Sequence, residues 1–140
     1  MTANSDEREA KNRQIVQRGF DAWRAGTGSV FDLLADDAKW AIVGSSPVSK
    51  VFSSKQEFLD EVVTPFNARL VRRFIPTVRA IYADGDMVIV LWDGEGTGRD
   101  GQPYRNSYAW FLQMRDGRIV SAIAFFDTTE FNDFWTRTSP

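Results

Sequence analysis

The sequence contains no cysteine and no histidine. The first absence excludes disulfides and leaves the redox compartment unreadable from thiol usage. The two together exclude a Ser-His-Asp triad, a cysteine nucleophile and a zinc site of the usual imidazole and thiolate ligands. Any catalysis must therefore run on Asp, Glu, Tyr, Lys, Arg or Ser, and no cofactor is expected. An excess of one charge is also missing. Lys and Arg number 17 against 19 Asp and Glu, and the basic residues are dispersed, so the electrostatic footprint of a duplex-binding protein is lacking and nucleic acid is not an expected partner. No apolar run approaches the ~18 residues of a membrane span. The opening "MTANSDEREAKNRQ" has no apolar stretch of the signal-peptide kind. The expectation is a soluble cytoplasmic protein with no membrane partner.

What the chain has in quantity is aromatic residues, with five Trp and eleven Phe among 140 residues. That exceeds what a small core needs, and the surplus points to a pocket or an interface. The length is that of one domain, 1–140, with 1–7 as a flexible N-terminus. Ile15, Val16, Gly19, Phe20 and Trp23 form one stripe of a helix over 8–25, which "AGTGS" stops. Ser29 and Asp32 read as a capping signal for a short second helix through Val30, Phe31, Leu34 and Ala35. "KWAIV" reads as a strand. Ser54 and Glu57 form a capping box for a third helix with the stripe Phe58, Leu59, Val62, Val63 and Phe66, which Pro65 kinks or restarts.

From about residue 73 the period changes. "FIPTVRAIYA", "MVIVLWDGEGTG", "YRNSYAWFLQM" and "RIVSAIAFFD" are extended runs separated by "DGD", "RDGQP" and "RDG", turns that join antiparallel neighbours. Helices first and a strand meander second indicate an α+β fold with helices on one face of a curved antiparallel sheet. The closing "TEFNDFWTRTSP" reads either as a short amphipathic helix or as an apolar tail that docks on a neighbour.

The pieces "IVQRGFDAWRAGTGSVFDLLADDAKW", "DGDMVIVLWDGEGTGRDGQPYRNSYAWFLQMRDGRI" and "FFDT", in this order over nearly the whole chain, resemble the nuclear transport factor 2-like superfamily in its SnoaL-like and ketosteroid-isomerase-like branch. The resemblance implies a cone-shaped, cystatin-like α+β roll, its N-terminal helices on the concave face of the sheet around an apolar pocket. It does not imply one reaction, since such proteins include isomerases, epoxide hydrolases, cyclases and non-catalytic modules. Aligned with the steroid-isomerase pattern, the general base falls on Ile42 and the oxyanion donors on Gly19 and Ala109, none of which can act. In the limonene-epoxide-hydrolase pattern, whose C-terminal wording "FDTTEF" resembles, one Asp is present at Asp93. The Arg becomes Leu91, the second Asp becomes Ala124, and the Tyr and Asn fall near Val43 and Ser45. In the polyketide-cyclase pattern, "AFFD" puts Ala124 and Phe125 where relatives hold an acid and a phenol.

Period-2 alternation then assigns faces. Leu91, Asp93 and Glu95; Ser107, Ala109 and Phe111; and Ala122, Ala124 and Phe126 are expected to face the pocket, with Phe20, Trp23, Trp40 and Ile42 completing an aromatic wall suited to a hydrophobic small molecule. Asp93 is the candidate catalytic residue if desolvation raises its pKa; its rival reading is a solvated aspartate or a partner for an Arg. Asp127 reads as a helix cap. Lys50 and Lys55 are flanked by serines, which argues against a buried Schiff-base lysine. Arg69, Arg72, Arg73 and Arg79 form either a solvated cluster or an anion clamp. Trp92, Tyr108 and Trp110 are expected on the outer sheet face, where such large aromatics want a partner; the resemblance implies a homodimer packed sheet to sheet, and core filling is the rival reading. Two functions follow: a small-molecule protein, enzyme or binder, centred on Asp93; or a non-catalytic dimerisation and interaction module.

Overall fold

A computed structural model of the chain describes residues 2–139. Its first helix, α1 (Thr2–Ala25), starts within the segment expected to be flexible; Met1 lies outside the described residues. Val16, Gly19 and Phe20 form its buried stripe. Gly26 ends it with a positive φ of 77°, and the Arg73 guanidinium donates to the last carbonyls, those of Trp23 and Arg24, at 2.8 and 2.7 Å. That contact satisfies acceptors that a helix end leaves open.

The expected second helix shrinks to one tight turn, Val30–Leu33, held by the reciprocal Ser29–Asp32 capping box. Leu34 is already extended, and β1 (Leu34–Ile42) takes in the "ADDA" segment. A cap of this kind closes one turn whether or not the chain continues as helix, and here burial of Leu34 and Ala38 on the sheet decides. After the two-residue strand β2 (Val51–Phe52), the Ser54 hydroxyl accepts from the Glu57 N–H at the start of α2 (Lys55–Phe58). The Glu57 carboxylate reaches the Ser53 N–H, so the box is offset by one residue. A widened π turn follows at Leu59–Val63, with the Thr64 N–H donating to the Leu59 carbonyl, before α3 (Thr64–Ala68). Pro65 has no N–H to give and crowds the carbonyl four residues back, which favours the wider turn ahead of it.

The strands β3 (Leu70–Asp84), β4 (Met87–Gly98), β5 (Pro103–Arg115) and β6 (Arg118–Phe126) match the four extended runs to within a few residues. The sheet order is β2-β1-β6-β5-β4-β3. Because β1 runs parallel to β6, the sheet is mixed rather than wholly antiparallel. Its curvature has an identifiable source. Strand β3 uses 15 residues to follow 12 of β4, and the excess appears as three register shifts, each of which bends the strand. A further shift sits between β5 and β6: Met114 faces Ile119, but Gln113 faces Ser121, leaving Val120 as an extra residue. The last helix, α4 (Thr128–Arg137), starts on Asp127, whose carboxylate accepts from the Thr129 and Glu130 N–H groups, as expected of a cap. Phe131 and Phe134 are buried, so this segment docks on its own fold. No helix among the described residues is long and apolar enough to cross a membrane.

Close packing against β4 depends on Gly94. A Cβ built there would overlap the Cζ and Cε2 edge of the Phe74 ring, and Phe74 itself is buried against Trp92 and Tyr104. Gly94→Ala is expected to destabilise the fold by about 1–3 kcal/mol, the usual cost of overpacking, which thermal or urea denaturation of the two proteins would measure.

Candidate functional site

The concave face of the sheet is built from even-numbered residues of β4 and β5. Val90, Trp92, Tyr104, Trp110 and Leu112 point toward the helices and are buried. On β6 and β1 the same face is continued by Ala122, Ala124, Trp40 and Ile42, in register as Trp110↔Ala124 and Ala124↔Ile42. Rings meet in preferred geometries across this face. Trp40 stacks on Phe58 at 4.3 Å, Trp92 stacks on Tyr108 at 4.1 Å, and Trp110 presents edge-on contacts to both tryptophans at 4.9 and 4.8 Å.

These rings do not fill the space between sheet and helices. A cavity of about 650 Å³ remains, walled by Trp23, Phe31, Trp40, Trp92, Tyr108 and Trp110 and closed at one end by Phe66, Phe126 and Phe131. Voids larger than a water molecule are few in close-packed interiors, whereas ligand sites run to about 300–1,000 Å³. The exposed lining residues Gly26, Gly28, Asp32, Asn67, Val71 and Arg73 put the mouth between the loop after α1 and the start of β3.

One polar group of residues interrupts the apolar wall. The Tyr104 and Tyr108 hydroxyls are 2.9 Å apart, and the buried Asn106 amide donates to Tyr104 Oη at 2.7 Å. Burial pushes the Tyr104 phenol up to about 12, and it holds the Tyr108 phenol well above its ordinary value, with the neighbouring Tyr104 adding to the effect. Both stay neutral at physiological pH. The Trp92 indole N–H is buried and has no acceptor among the described residues. No three carboxylates among the described residues converge closely enough to hold a metal ion.

Of the residues expected in the pocket, Trp23, Trp40, Ile42, Ala124 and Phe126 line this cavity. Phe20 lies behind it, buried against Trp92 and Trp110. Asp93, Leu91, Glu95, Ser107, Ala109 and Phe111 are placed on the opposite face, and Trp92, Tyr108 and Trp110, expected outside, are inside. The extra residue Val120 is the cause. Continued without it, the Arg115↔Arg118 register would set Ala109 opposite Ala124; with it, Trp110 takes that place. A bulge in this position exchanges the two faces of β5 relative to β6. One signal in the sequence does give the observed phase. Asp93 and Glu95 share a face, and burying two carboxylates there costs far more than exposing it.

Asp93 therefore lines a polar groove of about 620 Å³ on the outer face. It accepts from Ser107 Oγ at 2.7 Å and from Arg79 at 3.1 Å. The Ser107 bond is the largest influence and holds its carboxyl below the ordinary aspartate value; burial opposes it, and Arg79 adds to the lowering. Glu95 pairs with Arg105 at 3.2 Å. The four expected arginines go separate ways: Arg73 caps α1, Arg79 pairs with Asp93, Arg69 stacks on Trp135 and Arg72 is exposed on β3. Lys50 is exposed, and its bond to Glu61 raises its pKa, the reverse of what a Schiff-base lysine needs.

This fold, with helices against a curved mixed sheet around an aromatic cavity, is that of the nuclear transport factor 2-like proteins. Within that class, the SnoaL-like domain model matches residues 16–122, and the chain belongs to the SnoaL-like family. Among solved structures, Bal32a from a soil-derived mobile gene cassette is similar with a TM-score of 0.77 at 18% identity, over 91% of this chain and 98% of that one. TerC co-crystallised with polyporic acid has a TM-score of 0.72 at 18% identity, over 89% and 98% of the two chains. A protein with a ketosteroid isomerase-like fold from Catenulispora acidiphila, in complex with trimethylamine, has a TM-score of 0.64 at 16% identity, over 83% and 87%. Identities this low show the fold alone. No curated protein matches the chain significantly.

The Asp93 contacts predict a pH response with a definite sign. A carboxyl whose pKa is depressed by folding stabilises fully above its unfolded-state value, and this is lost as pH falls through the lower folded value. Carbon-detected NMR should show Asp93 titrating below the ordinary aspartate value. Asp93→Asn should lower stability by no more than about 1 kcal/mol, as for solvent-screened pairs.

Proposed function

We propose that the protein binds a flat, apolar small molecule in the aromatic cavity. The observation that carries this reading is the cavity itself, about 650 Å³ left open among stacked rings in a domain of 140 residues. Its walls are planar and stiff, so a planar guest recovers ring contacts that the side chains cannot make with one another. The complexes of related folds with polyporic acid and trimethylamine agree with a fold that accommodates small guests. The reading is of binding, because the carboxylate on the lining, Asp32, stands at the mouth engaged by the Ser29 N–H, and Asp93 lies outside the cavity on the other face.

Fluorene, planar and devoid of polar groups, is a suitable probe. It should quench tryptophan fluorescence and raise the melting temperature. Ala124 is 2% exposed on the cavity wall opposite Trp110, so Ala124→Phe would occupy the guest's space. This variant should remain folded and bind fluorene at least about tenfold more weakly, a loss of about 1.4 kcal/mol. Unchanged affinity would sink the assignment of the cavity as the binding site.

The outer face carries a second reading, a homodimer. One outward-facing row crosses every strand in register: Tyr82↔Ile89, Ile89↔Phe111, Phe111↔Ile123, Ile123↔Ala41 and Ala41↔Val51. Tyr82, Val51 and Ile123 in this row, and Phe125 beside it, are well exposed. An exposed apolar row that crosses all six strands favours a second copy of itself. Here the contact surface is formed by Ile89, Leu91, Ala109, Phe111, Ile123 and Phe125 rather than by the tryptophans. Ile123→Glu would bury a charge at its centre, at a cost of several kcal/mol. Size-exclusion chromatography with light scattering should give a dimer for the parent protein and a monomer for this variant.

A further inference from the structure

Of the arginines grouped in the sequence, Arg69 is the one whose charge the fold draws out of water without answering it. It follows α3 directly and is only partly exposed. Its guanidinium carbon lies 3.6 Å over the Trp135 ring, and Nη1 donates to the Pro65 carbonyl at 3.3 Å. Its Nε is buried and has no acceptor among the described residues. An aromatic face and one long bond to a carbonyl hold the group in place, but neither brings a negative charge. An arginine on open surface needs no partner. One that is partly desolvated does, because the solvation it loses has to be replaced by an opposite charge or a full set of hydrogen bonds.

A second positive charge stands beside it. Arg99, in the turn between β4 and β5, donates its backbone N–H to the Arg69 carbonyl at 2.8 Å. Its side chain is exposed and enters no ion pair among the described residues. Burial lowers the Arg69 pKa, and the Arg99 charge lowers it further. The acidic residues that adjoin this place in the sequence are already engaged by a third arginine. Asp100 accepts from Arg137 Nη1 with both oxygens, at 2.7 and 2.6 Å, and Asp133 pairs with Arg137 Nε at 3.3 Å. Two guanidinium groups are thus left side by side where the local carboxylates serve another residue.

We propose that Arg69 and Arg99 together bind a phosphoryl dianion beside Trp135, where the end of α3, the β4–β5 turn and α4 meet. Two positive charges at one place are balanced by a ligand carrying two negative ones. The tetrahedral oxygens of a phosphoryl group accept from two guanidinium forks that approach from different sides. A planar monocarboxylate meets one fork and leaves the other charge uncompensated. Neither arginine lines the aromatic cavity, so this site stands independently of the guest bound there.

The test is calorimetric titration with inorganic phosphate at constant ionic strength made up with chloride, which holds general screening fixed. The parent protein should bind about one phosphate per chain. Arg99→Gln and Arg69→Gln should each weaken binding at least about tenfold, the scale of a hydrogen bond to a charged group. Arg115→Gln removes an exposed arginine at the other end of β5 and should change the affinity by less than about twofold. A phosphoryl group is either free or carried on a lipid, so co-sedimentation with phosphatidylcholine vesicles, with and without phosphatidic acid, forms a second arm. Saturable binding of inorganic phosphate with this pattern of variants supports the site as one for a free anion. Sedimentation that needs phosphatidic acid, is lost in Arg99→Gln and is kept in Arg115→Gln supports it as a headgroup site. Absence of binding in both arms, an Arg99→Gln affinity equal to that of the parent, or equal weakening by Arg99→Gln and Arg115→Gln overturns the inference. Arg69→Gln also removes the contact with Trp135; if it does not fold, the exposed Arg99→Gln decides alone.

Discussion

The extra residue in β6, Val120, determines which side chains of β5 face the helices, and the rest of the molecule is arranged around that choice. With the bulge, Trp110 and Tyr108 join Trp40, Ile42 and Ala124 on the concave face. β4 follows because its pairing with β5 is continuous from Met87 to Thr97. The energetic stake is large. Each inward Trp or Tyr removes roughly 150–250 Å² from water, worth roughly 4–6 kcal/mol as an upper estimate. In the opposite phase, these rings would face solvent while Asp93, Glu95 and Arg105 were driven inward, and unpaired buried charges are costlier still. Both effects favour the same phase, so the hairpin accepts an irregular ladder at one point.

Once the phase is set, the two faces acquire different character. The concave side is aromatic and incompletely filled, because large planar rings meeting edge to face cannot also close the space they surround. The convex side divides along the strands. Toward the β1–β2 edge and the centre it is apolar, through Ile89, Phe111 and Ile123; toward the far end of β4 and β5 it carries the Arg79–Asp93 and Arg105–Glu95 pairs. The carboxylates of β4 therefore satisfy their charge at the surface and contribute nothing to the cavity. The same division separates the two proposed contacts, a small guest inside and a second copy outside, so each can be perturbed without touching the other.

Much of this architecture is legible in the sequence. The α1 stripe, the caps at Ser29, Ser54 and Asp127, the four extended runs and their Gly-containing turns depend on local chemistry, and each lies where residue pattern puts it. The phase between strands does not depend on local chemistry alone. Alternation within β5 and within β6 reads correctly, but their relative phase hinges on one bulged residue that "RIVSA" does not announce. Burial of Tyr104, Asn106 and Gly94 together is equally hidden, since it requires knowing that β5 and β4 face each other in this register. The cost of burying Asp93 beside Glu95 was the available clue, because it needs only period-2 spacing.

The segment around Asp127 shows how a structural residue reaches the site without entering it. Its carboxylate caps α4, which brings Phe131 to close one end of the cavity. Its backbone N–H and carbonyl clamp the Asn106 amide, at 3.1 and 2.9 Å. The Asn106 amide in turn donates to Tyr104 Oη, which is hydrogen-bonded to Tyr108 Oη. The helix cap and the Tyr108 ring on the cavity wall are thus joined by one run of hydrogen bonds through Asn106 and Tyr104. Displacing the α4 N-terminus would break both Asp127 bonds to the amide, so the position of this helix bears on Phe131 in the cavity lining and on the buried tyrosine pair together.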